Sequence, residues 1–216
     1  MKKLVVFDLD GTLLYTLEDI AKSLNYVLTK HGYSAVSIEE TQKLVGYGAK
    51  NLIKNASGES GEKLEKLFAE LTLVMQSSDN ALTVLYDGLS SVLKTLKSMG
   101  VKLAIVSNKP DVAVKEIYAQ KLKEYDFSYV AGANPLLYPT KPNKECVEYC
   151  LNALGVDKLD AVYVGDSEVD VQTAINAGID CISVLWGYRS KLQIESVGGK
   201  IFVKTASELL SVIEQI

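Results

Sequence analysis

The chain has 216 residues, 48% of them hydrophobic and 23% charged, with a formal net charge of −4. This composition is typical of a globular protein with a sizeable core, and the negative charge disfavours nucleic acid or an anionic membrane as the main partner. The three cysteines do not form a disulfide pattern, and no apolar run is long enough to span a bilayer. We therefore expect a cytoplasmic protein.

An apolar run at residues 4–7 leads directly into Asp8 and Asp10. Continuous apolar runs are typical of strands in a parallel sheet, and Asp8 would then stand at the edge where open α/β sheets bind ligands. Two carboxylates this close raise each other's pKa unless a cation or hydrogen-bond donors lie nearby, which indicates a bound divalent cation or a proton-transfer role. The alternative is a pair of solvated turn residues, with Gly11 supplying the positive φ.

Between residues 17 and 80 the pattern predicts only helices. Thr16 can cap the first helix, and Ser37 with Glu40 has the spacing of a capping box at the start of the second. Two further helices follow, the longer one with an apolar face from Leu64 to Met75. This block predicts a small helical unit inserted after the first strand.

From residue 82 onward, strand and helix patterns alternate. The predicted strands cover residues 101–106, 127–131, 161–164, 181–185 and 201–203. Alternation of this kind predicts a parallel sheet whose strands are connected by helices.

Polar residues follow several of these strands at what should be one edge of the sheet. They are Asp8, Asp10, Ser107, Asn108, Gly165 and Asp166, with Asp170 four residues further on and Lys141 in a proline-flanked loop. A cluster of acids without histidine or cysteine suits Mg²⁺, and a hydroxyl, backbone N–H groups and an ammonium are the donors that a phosphate dianion requires. For Asp170 and Asn108 a helix-cap or turn role is the alternative.

In their order along the chain, four motifs resemble those of haloacid-dehalogenase-type phosphatases. The motifs are Asp8–Thr12, Ser107–Asn108, Lys141–Pro142 and Gly165–Asp170. The likeness covers nearly the whole chain and is greatest to the phosphoglycolate phosphatase branch, including residues 46–48 and 186–189. It implies an α/β fold: a Rossmann-like doubly wound parallel sheet over residues 1–15 and 83–216, with a small inserted helical cap domain over residues 16–82.

The resemblance also implies the chemistry of the first motif. Asp8 would attack phosphorus to form an aspartyl-phosphate, and Asp10 would protonate the leaving alkoxide and later take a proton from water. Mg²⁺ would be held by the side chains of Asp8 and Asp166 and by the backbone carbonyl of Asp10. Asp170 would orient Lys141 or a metal-bound water.

The resemblance assigns the phosphate-binding residues to the same edge. Lys141 would offset charge on the transferring oxygens, and the other residues at the phosphate would be Ser107, Asn108, Gly11 and Thr12. Within the helical cap, Tyr47 and Lys50 are candidates for contact with the substrate, although both could equally be solvated residues at a helix start.

The predicted function is hydrolysis of a small phosphorylated metabolite, with phosphoglycolate as the favoured substrate, by a monomer or homodimer. A phosphomutase of the same family, or a phosphatase for pyrophosphate or nucleotides, is the alternative enzyme. A phosphate-binding signalling module is the alternative outside enzymes.

Overall fold

The computed structural model describes residues 2–216, and its centre is a six-stranded sheet in the order β5-β4-β1-β6-β7-β8. All five pairs of neighbouring strands are parallel. The strands are β1 Leu4–Phe7, β4 Lys102–Pro110, β5 Tyr129–Ala133, β6 Ala161–Gly165, β7 Asp180–Val184 and β8 Ile201–Val203. Two further strands form a separate antiparallel pair, β2 Leu14–Tyr15 and β3 Val84–Leu85.

Across residues 2–216, ten α-helices surround the sheet or form the insertion. They are α1 Leu17–Lys30, α2 Ile38–Leu44, α3 Gly48–Ser57, α4 Gly61–Gln76, α5 Leu89–Ser98, α6 Asp111–Lys121, α7 Glu145–Leu154, α8 Glu168–Ala177, α9 Lys191–Ser196 and α10 Ala206–Gln215. None of the helices within residues 2–216 combines the length and apolar character needed to cross a bilayer.

Both faces of the sheet are buried, which explains why its strands are continuously apolar. Val5 and Phe7 of β1 belong to a core shared with α5, α6 and α10, whereas Leu4 and Val6 pack on the opposite face with α7 and α8. Successive side chains of a strand point to opposite faces, so a strand covered on both sides alternates between two apolar layers. The predicted α/β fold with a doubly wound parallel sheet is confirmed.

The helical insertion, α1 to α4, has its own apolar core. Leu24, Leu28, Leu67 and Leu71 are almost completely buried within it. The chain enters and leaves the insertion through β2 and β3, which pair with each other. Next to this pair, Oδ2 of Asp19 accepts hydrogen bonds from the backbone N–H of Leu82 and the hydroxyl of Thr83, so the two crossing segments are held together.

Three local predictions are corrected by the structure. The strand predicted at residues 101–106 extends over Lys102–Pro110, so Ser107 and Asn108 lie within β4 and not after it. The strand predicted at residues 127–131 lies at Tyr129–Ala133 and is β5. Phe127 is apolar because it packs in the core and not because it belongs to the strand: its ring lies edge-on against Phe7, at 6.3 Å between centroids. Thr16 does precede α1, but its hydroxyl makes no capping hydrogen bond. It donates instead to Oδ1 of Asp10 at 2.7 Å.

The separate core of the insertion can be tested on a single helix. Leu71→Ala should lower the free energy of unfolding by about 2–5 kcal/mol, because it opens a cavity at a fully buried position. Leu73, on the same helix, is 62% exposed, so Leu73→Ala is the matched control and should change stability by less than about 0.5 kcal/mol. Urea denaturation measures both variants, and equal losses would contradict this assignment of the core.

Candidate active site

The site lies at the carboxyl ends of the three central strands, β4, β1 and β6. Asp8 follows β1 directly, and its N–H donates to the carbonyl of Val164 in β6 at 2.9 Å. Asp166 follows β6, and Ser107 lies in β4 where the pairing register with β5 shifts between Val106 and Pro110. Because these strands are neighbours, residues far apart in the sequence meet in one small volume.

Three buried carboxylates form an acidic cluster in that volume. One oxygen from each of Asp8, Asp166 and Asp170 lies within 4.8 Å of the others. Oδ1 of Asp8 is buried and accepts no hydrogen bond from residues 2–216, although Nζ of Lys141 lies 2.9 Å away as an ion-pair partner. This oxygen is therefore a candidate for a partner that the protein chain does not supply.

Asp166 is fixed by donors and by close backbone packing. Its Oδ1 accepts from the hydroxyl of Thr12 at 3.1 Å, and its Oδ2 accepts from the N–H of Tyr188 at 2.7 Å. A Cβ added at Gly11 or at Gly187 would clash with this carboxylate, so the backbone lies directly against it on two sides. Gly11 also has φ of +84°, which favours glycine at this turn.

Asp170 both caps a helix and contacts Lys141, which are the two roles predicted as alternatives from the sequence. Its Oδ2 accepts from the backbone N–H groups of Asp166 and Ser167 and from the Ser167 hydroxyl, which caps α8. Its Oδ1 accepts from Nζ of Lys141 at 2.7 Å. The helix cap therefore fixes the carboxylate that in turn holds the lysine.

Lys141 is only 3% exposed, and its ammonium is almost surrounded by partners. It donates to Asp170 and to the hydroxyl of Tyr163, and it lies beside Asp8. Burial alone would lower the pKa of Lys141, but the carboxylates of Asp170 and Asp8 raise it well above its usual value. The lysine is therefore a permanent positive charge in the site.

The pKa values of the Asp8 and Asp166 carboxyl groups are also raised, which for an acid favours the neutral form. Burial raises the pKa of Asp8 to about 7, with Lys141 opposing the shift and Asp170 and Asp10 adding to it. Burial, Asp170 and Asp8 raise the pKa of Asp166 to about 8. Both shifts arise first from removal of the carboxylates from water and second from their negative neighbours.

Asp10 is held by one of its two carboxylate oxygens. Oδ1 accepts from the Thr16 hydroxyl and from Nζ of Lys109, which lies 3.0 Å away. Asp10 lines the same cleft as Asp8 and Ser107. Two donors on one oxygen fix the orientation of the carboxylate and leave Oδ2 without a hydrogen bond from residues 2–216.

Asn108 is committed to structure through its side chain. Its Oδ1 accepts from the N–H of Lys141 at 2.8 Å, and its Nδ2 donates to the carbonyls of Lys141 and Gly46. The amide thus fixes the loop that carries Lys141 and joins it to the insertion. Its predicted contact with phosphate stays a prediction, and only its main chain is free to make it.

A cleft of about 540 Å³, including the part open to solvent, lies between the sheet edge and the insertion. The sheet side is polar, and the insertion supplies an apolar ceiling consisting of Ile20, Val45, Ala49, Leu52 and Met75. Tyr47 is half exposed and Lys50 pairs with Glu65 on the outside of the insertion, so neither side chain lines the cleft. Their predicted role in substrate contact stays a prediction.

Comparison with known proteins identifies the family. The sequence model of haloacid dehalogenase-like hydrolases matches residues 5–184. The chain belongs to the haloacid dehalogenase-like hydrolase family. It is 31% identical to phosphoglycolate phosphatase 1 of Pseudomonas aeruginosa over 100% of this chain and 81% of that protein. It is 36% identical to the phosphoglycolate phosphatase of Rhodobacter capsulatus over 88% of this chain and 87% of that protein.

A solved structure agrees with the sequence relatives. A predicted phosphatase from Clostridium acetobutylicum matches with a TM-score of 0.88 and 25% identity, covering 100% of both chains. The predicted family, its phosphoglycolate phosphatase-like branch and the predicted class of enzyme, a phosphatase, are confirmed by these comparisons.

The residues of this hydrolase site fit a divalent cation. Asp8 has a buried oxygen without a hydrogen bond, Asp166 is oriented by two donors, and the donor set within residues 2–216 consists of oxygen atoms. All-oxygen sites with several carboxylates suit Mg²⁺ better than zinc or copper. Asp170 has four donors of its own, which suits an orienting residue better than a direct ligand.

Two site residues of this hydrolase were not found from the sequence. Lys109 is buried beside Asp10, and its only signal was a lysine directly after the second motif. Tyr188 bonds Asp166 through its N–H, and its hydroxyl accepts from the N–H of Thr16 at the entrance to the insertion. Residues 186–189 were noted only as a likeness to the family, and no local pattern distinguishes this tyrosine as a site residue.

Arg189 follows Tyr188 and ties the catalytic edge to the insertion. Its guanidinium donates to the carbonyls of Gln42 and Val45 at the end of α2, and its Nε lies 3.3 Å from a carboxylate oxygen of Glu168. Cationic groups at a helix C-terminus satisfy carbonyls that lack an intrahelical partner. The insertion is thus held against the sheet edge by backbone contacts.

We expect the free energy of unfolding, measured in EDTA, to fall as the pH rises from about 4 to 8. The folded state raises the pKa of Asp8 and Asp166 above their usual value of 3.8, so in this window the folded protein binds more protons than the unfolded chain. Urea denaturation across this range measures the slope. Asp166→Asn removes one of the two carboxyl groups and should flatten it, and an unchanged slope would contradict the assignment.

Proposed function

We propose that this protein is a Mg²⁺-dependent phosphatase that hydrolyses a small phosphate monoester through an aspartyl-phosphate on Asp8, with phosphoglycolate as the favoured substrate. The observation that carries the proposal is the position of Asp8, which belongs to the acidic cluster, pairs with Lys141 and lines a cleft that also contains Asp10 and Ser107. The names of the relatives support the choice of substrate.

In the first step, an oxygen of the Asp8 carboxylate forms a bond to phosphorus and the bond from phosphorus to the ester oxygen breaks. Asp10 donates a proton to that departing oxygen, so the product leaves as an alcohol. Its Oδ2, which accepts no hydrogen bond from residues 2–216, would carry that proton. The result is an acyl phosphate on Asp8.

In the second step, water attacks phosphorus and Asp10 takes its proton. The bond between phosphorus and the Asp8 oxygen breaks, which releases inorganic phosphate and restores the carboxylate. The same side chain thus acts first as an acid and then as a base, and the two steps leave the protein unchanged.

Charge stabilisation supplies most of the catalysis in phosphoryl transfer. Lys141 and the hydroxyl of Ser107 would contact the transferring oxygens, and the Ser107 hydroxyl donates to no acceptor within residues 2–216. Mg²⁺ would be held by Asp8, Asp166 and the carbonyl of Asp10, and when bound it would offset negative charge on the phosphoryl group.

The catalytic core would comprise residues 1–15 and 83–216, and the cap would comprise residues 16–82. A cap closed over the cleft would exclude water from the reacting centre. The three cysteines carry no disulfide, which is consistent with a reducing compartment, although a cytoplasmic location stays a prediction. The oligomeric state, monomer or homodimer, also stays a prediction.

Replacing the nucleophile should abolish catalysis. Asp8→Asn should reduce turnover of phosphoglycolate by about 10³-fold or more, because the amide cannot form the covalent intermediate. The matched control is Asp180→Asn. Asp180 is an exposed residue of β7 that pairs with Lys2, and this variant should retain wild-type turnover. Phosphate release with Mg²⁺ measures both variants, and EDTA should stop the wild-type reaction. An Asp8→Asn enzyme with wild-type turnover would exclude the mechanism.

The acid role of Asp10 predicts a dependence on the leaving group. Asp10→Asn should slow hydrolysis of alkyl phosphates by about 10²- to 10⁴-fold, because an alkoxide needs a proton to depart. The kcat/KM for 4-nitrophenyl phosphate should fall much less, because nitrophenolate leaves without a proton. The comparison uses kcat/KM because that constant reports the first step, whereas loss of the base in the second step lowers kcat for both substrates. Steady-state kinetics on the two substrates give the ratio, and equal losses on both would argue that Asp10 is not the acid.

A further inference from the structure

The ammonium of Lys109 has more hydrogen-bond donors than acceptors among its protein neighbours. Its side chain is 6% exposed, and within residues 2–216 the only hydrogen bond of its ammonium goes to Oδ1 of Asp10. An ammonium carries three N–H donors, and leaving such a donor buried without an acceptor costs free energy. The donors that remain are therefore open to an acceptor that is not part of the described chain.

The position of Lys109 indicates where that acceptor binds. Lys109 lines the cleft and also a small cavity that contains Thr16 and Asp19. Of the two, the cleft is the one that contains Asp10, the group proposed to protonate the leaving oxygen, and Asp10 is the residue to which the ammonium is bonded. The ammonium consequently lies on the leaving-group side of the site, whereas Lys141 lies on the side of Asp8 and the transferring phosphoryl group. The two lysines face different ends of a bound monoester.

No other cation that lines the cleft is available for this end of the substrate. Arg189, which also lines it, is committed to Glu168 and to carbonyls at the end of α2. The five residues of the apolar ceiling offer no side-chain donor. A negative charge on the leaving group would therefore meet one free cationic partner, Lys109.

We propose that Lys109 binds an anionic group, a carboxylate, on the leaving alcohol and so selects phosphate monoesters of small hydroxy acids. This inference rests on the proposed phosphatase activity and specifies its substrate class. The charge-assisted hydrogen bond would form in a site shielded from water, where such bonds are strong. A neutral alcohol of the same size would leave the ammonium without a second acceptor.

The test compares 2-phosphoglycolate with its amide, which has the same shape and no carboxylate charge. The wild-type enzyme should prefer the acid, and Lys109→Met should lower the ratio of kcat/KM values, acid over amide, by about 10- to 100-fold. Activity on both substrates should fall, because Lys109 also holds Asp10. Lys109→Arg, which keeps the charge, should retain most of the ratio.

Lys115→Met removes an exposed lysine from α6 and is the matched control, which should leave the ratio unchanged. A ratio that stays the same in Lys109→Met would overturn the inference, because the lysine would then act only through Asp10 or through folding. If Lys109→Met fails to fold, inhibition of wild-type 4-nitrophenyl phosphate hydrolysis decides, since glycolate should inhibit more strongly than glycolamide.

The inference can fail without the proposed function failing. A wild-type enzyme that hydrolyses 4-nitrophenyl phosphate with Mg²⁺ but shows no preference for the acid over the amide would overturn the role of Lys109 and leave the phosphatase intact. An enzyme that hydrolyses no phosphate ester would overturn both.

Discussion

The buried ammonium of Lys141 between Asp8 and Asp170 is the interaction on which the site depends. Charged groups removed from water require partners, and here each carboxylate has the lysine within 3 Å. Three carboxylates and one ammonium still leave a formal charge of two negatives in the cluster. A divalent cation held by these carboxylates would supply the missing charge, and a phosphate could then be accepted without placing like charges together.

The same constraint explains the supporting structure. Asp170 belongs to the N-terminal cap of α8, and Asn108 fixes the loop that carries Lys141. The hydroxyl of Tyr163 accepts a hydrogen bond from Lys141 and donates one to the carbonyl of Val106 in β4. Asp170 on α8 and Tyr163 on β6 hold the ammonium, whereas Asn108 on β4 holds the backbone of Lys141. Truncating one partner of such a buried pair is costly because the other is left uncompensated.

Much of the fold and of this cluster could be predicted from the sequence because the signals are local. A buried parallel strand is a continuous apolar run, and the residue that follows it must lie at the ligand-binding edge. Asp8, Ser107 and Asp166 each stand directly after such a run. The capping box at Ser37 and Glu40 was equally readable, and both of its hydrogen bonds are present.

The residues that were missed depend on contacts between distant segments. Lys109 looks like any polar residue at a strand end, and its burial results from the insertion folding over β4. The pairing of β4 with β5 shifts in register between Val106 and Pro110, the stretch that contains Lys109, and no pattern in the sequence predicts this shift. Thr16 is a second example, since the hydroxyl predicted to cap α1 donates to Asp10 instead.

The contact between Thr16 and Asp10 connects the insertion to the chemistry. Thr16 lies at the entrance to α1, and its hydroxyl shares Oδ1 of Asp10 with Lys109. A displacement of the insertion that moved Thr16 would remove one of the two bonds that orient this carboxylate. Because Arg189 and Asn108 hold the insertion to the sheet edge through backbone carbonyls, the position of the Asp10 carboxylate is coupled to that of the insertion without any charged side chain from the ceiling. An apolar ceiling of this kind excludes water, and the charge of the substrate is left for the sheet edge to recognise.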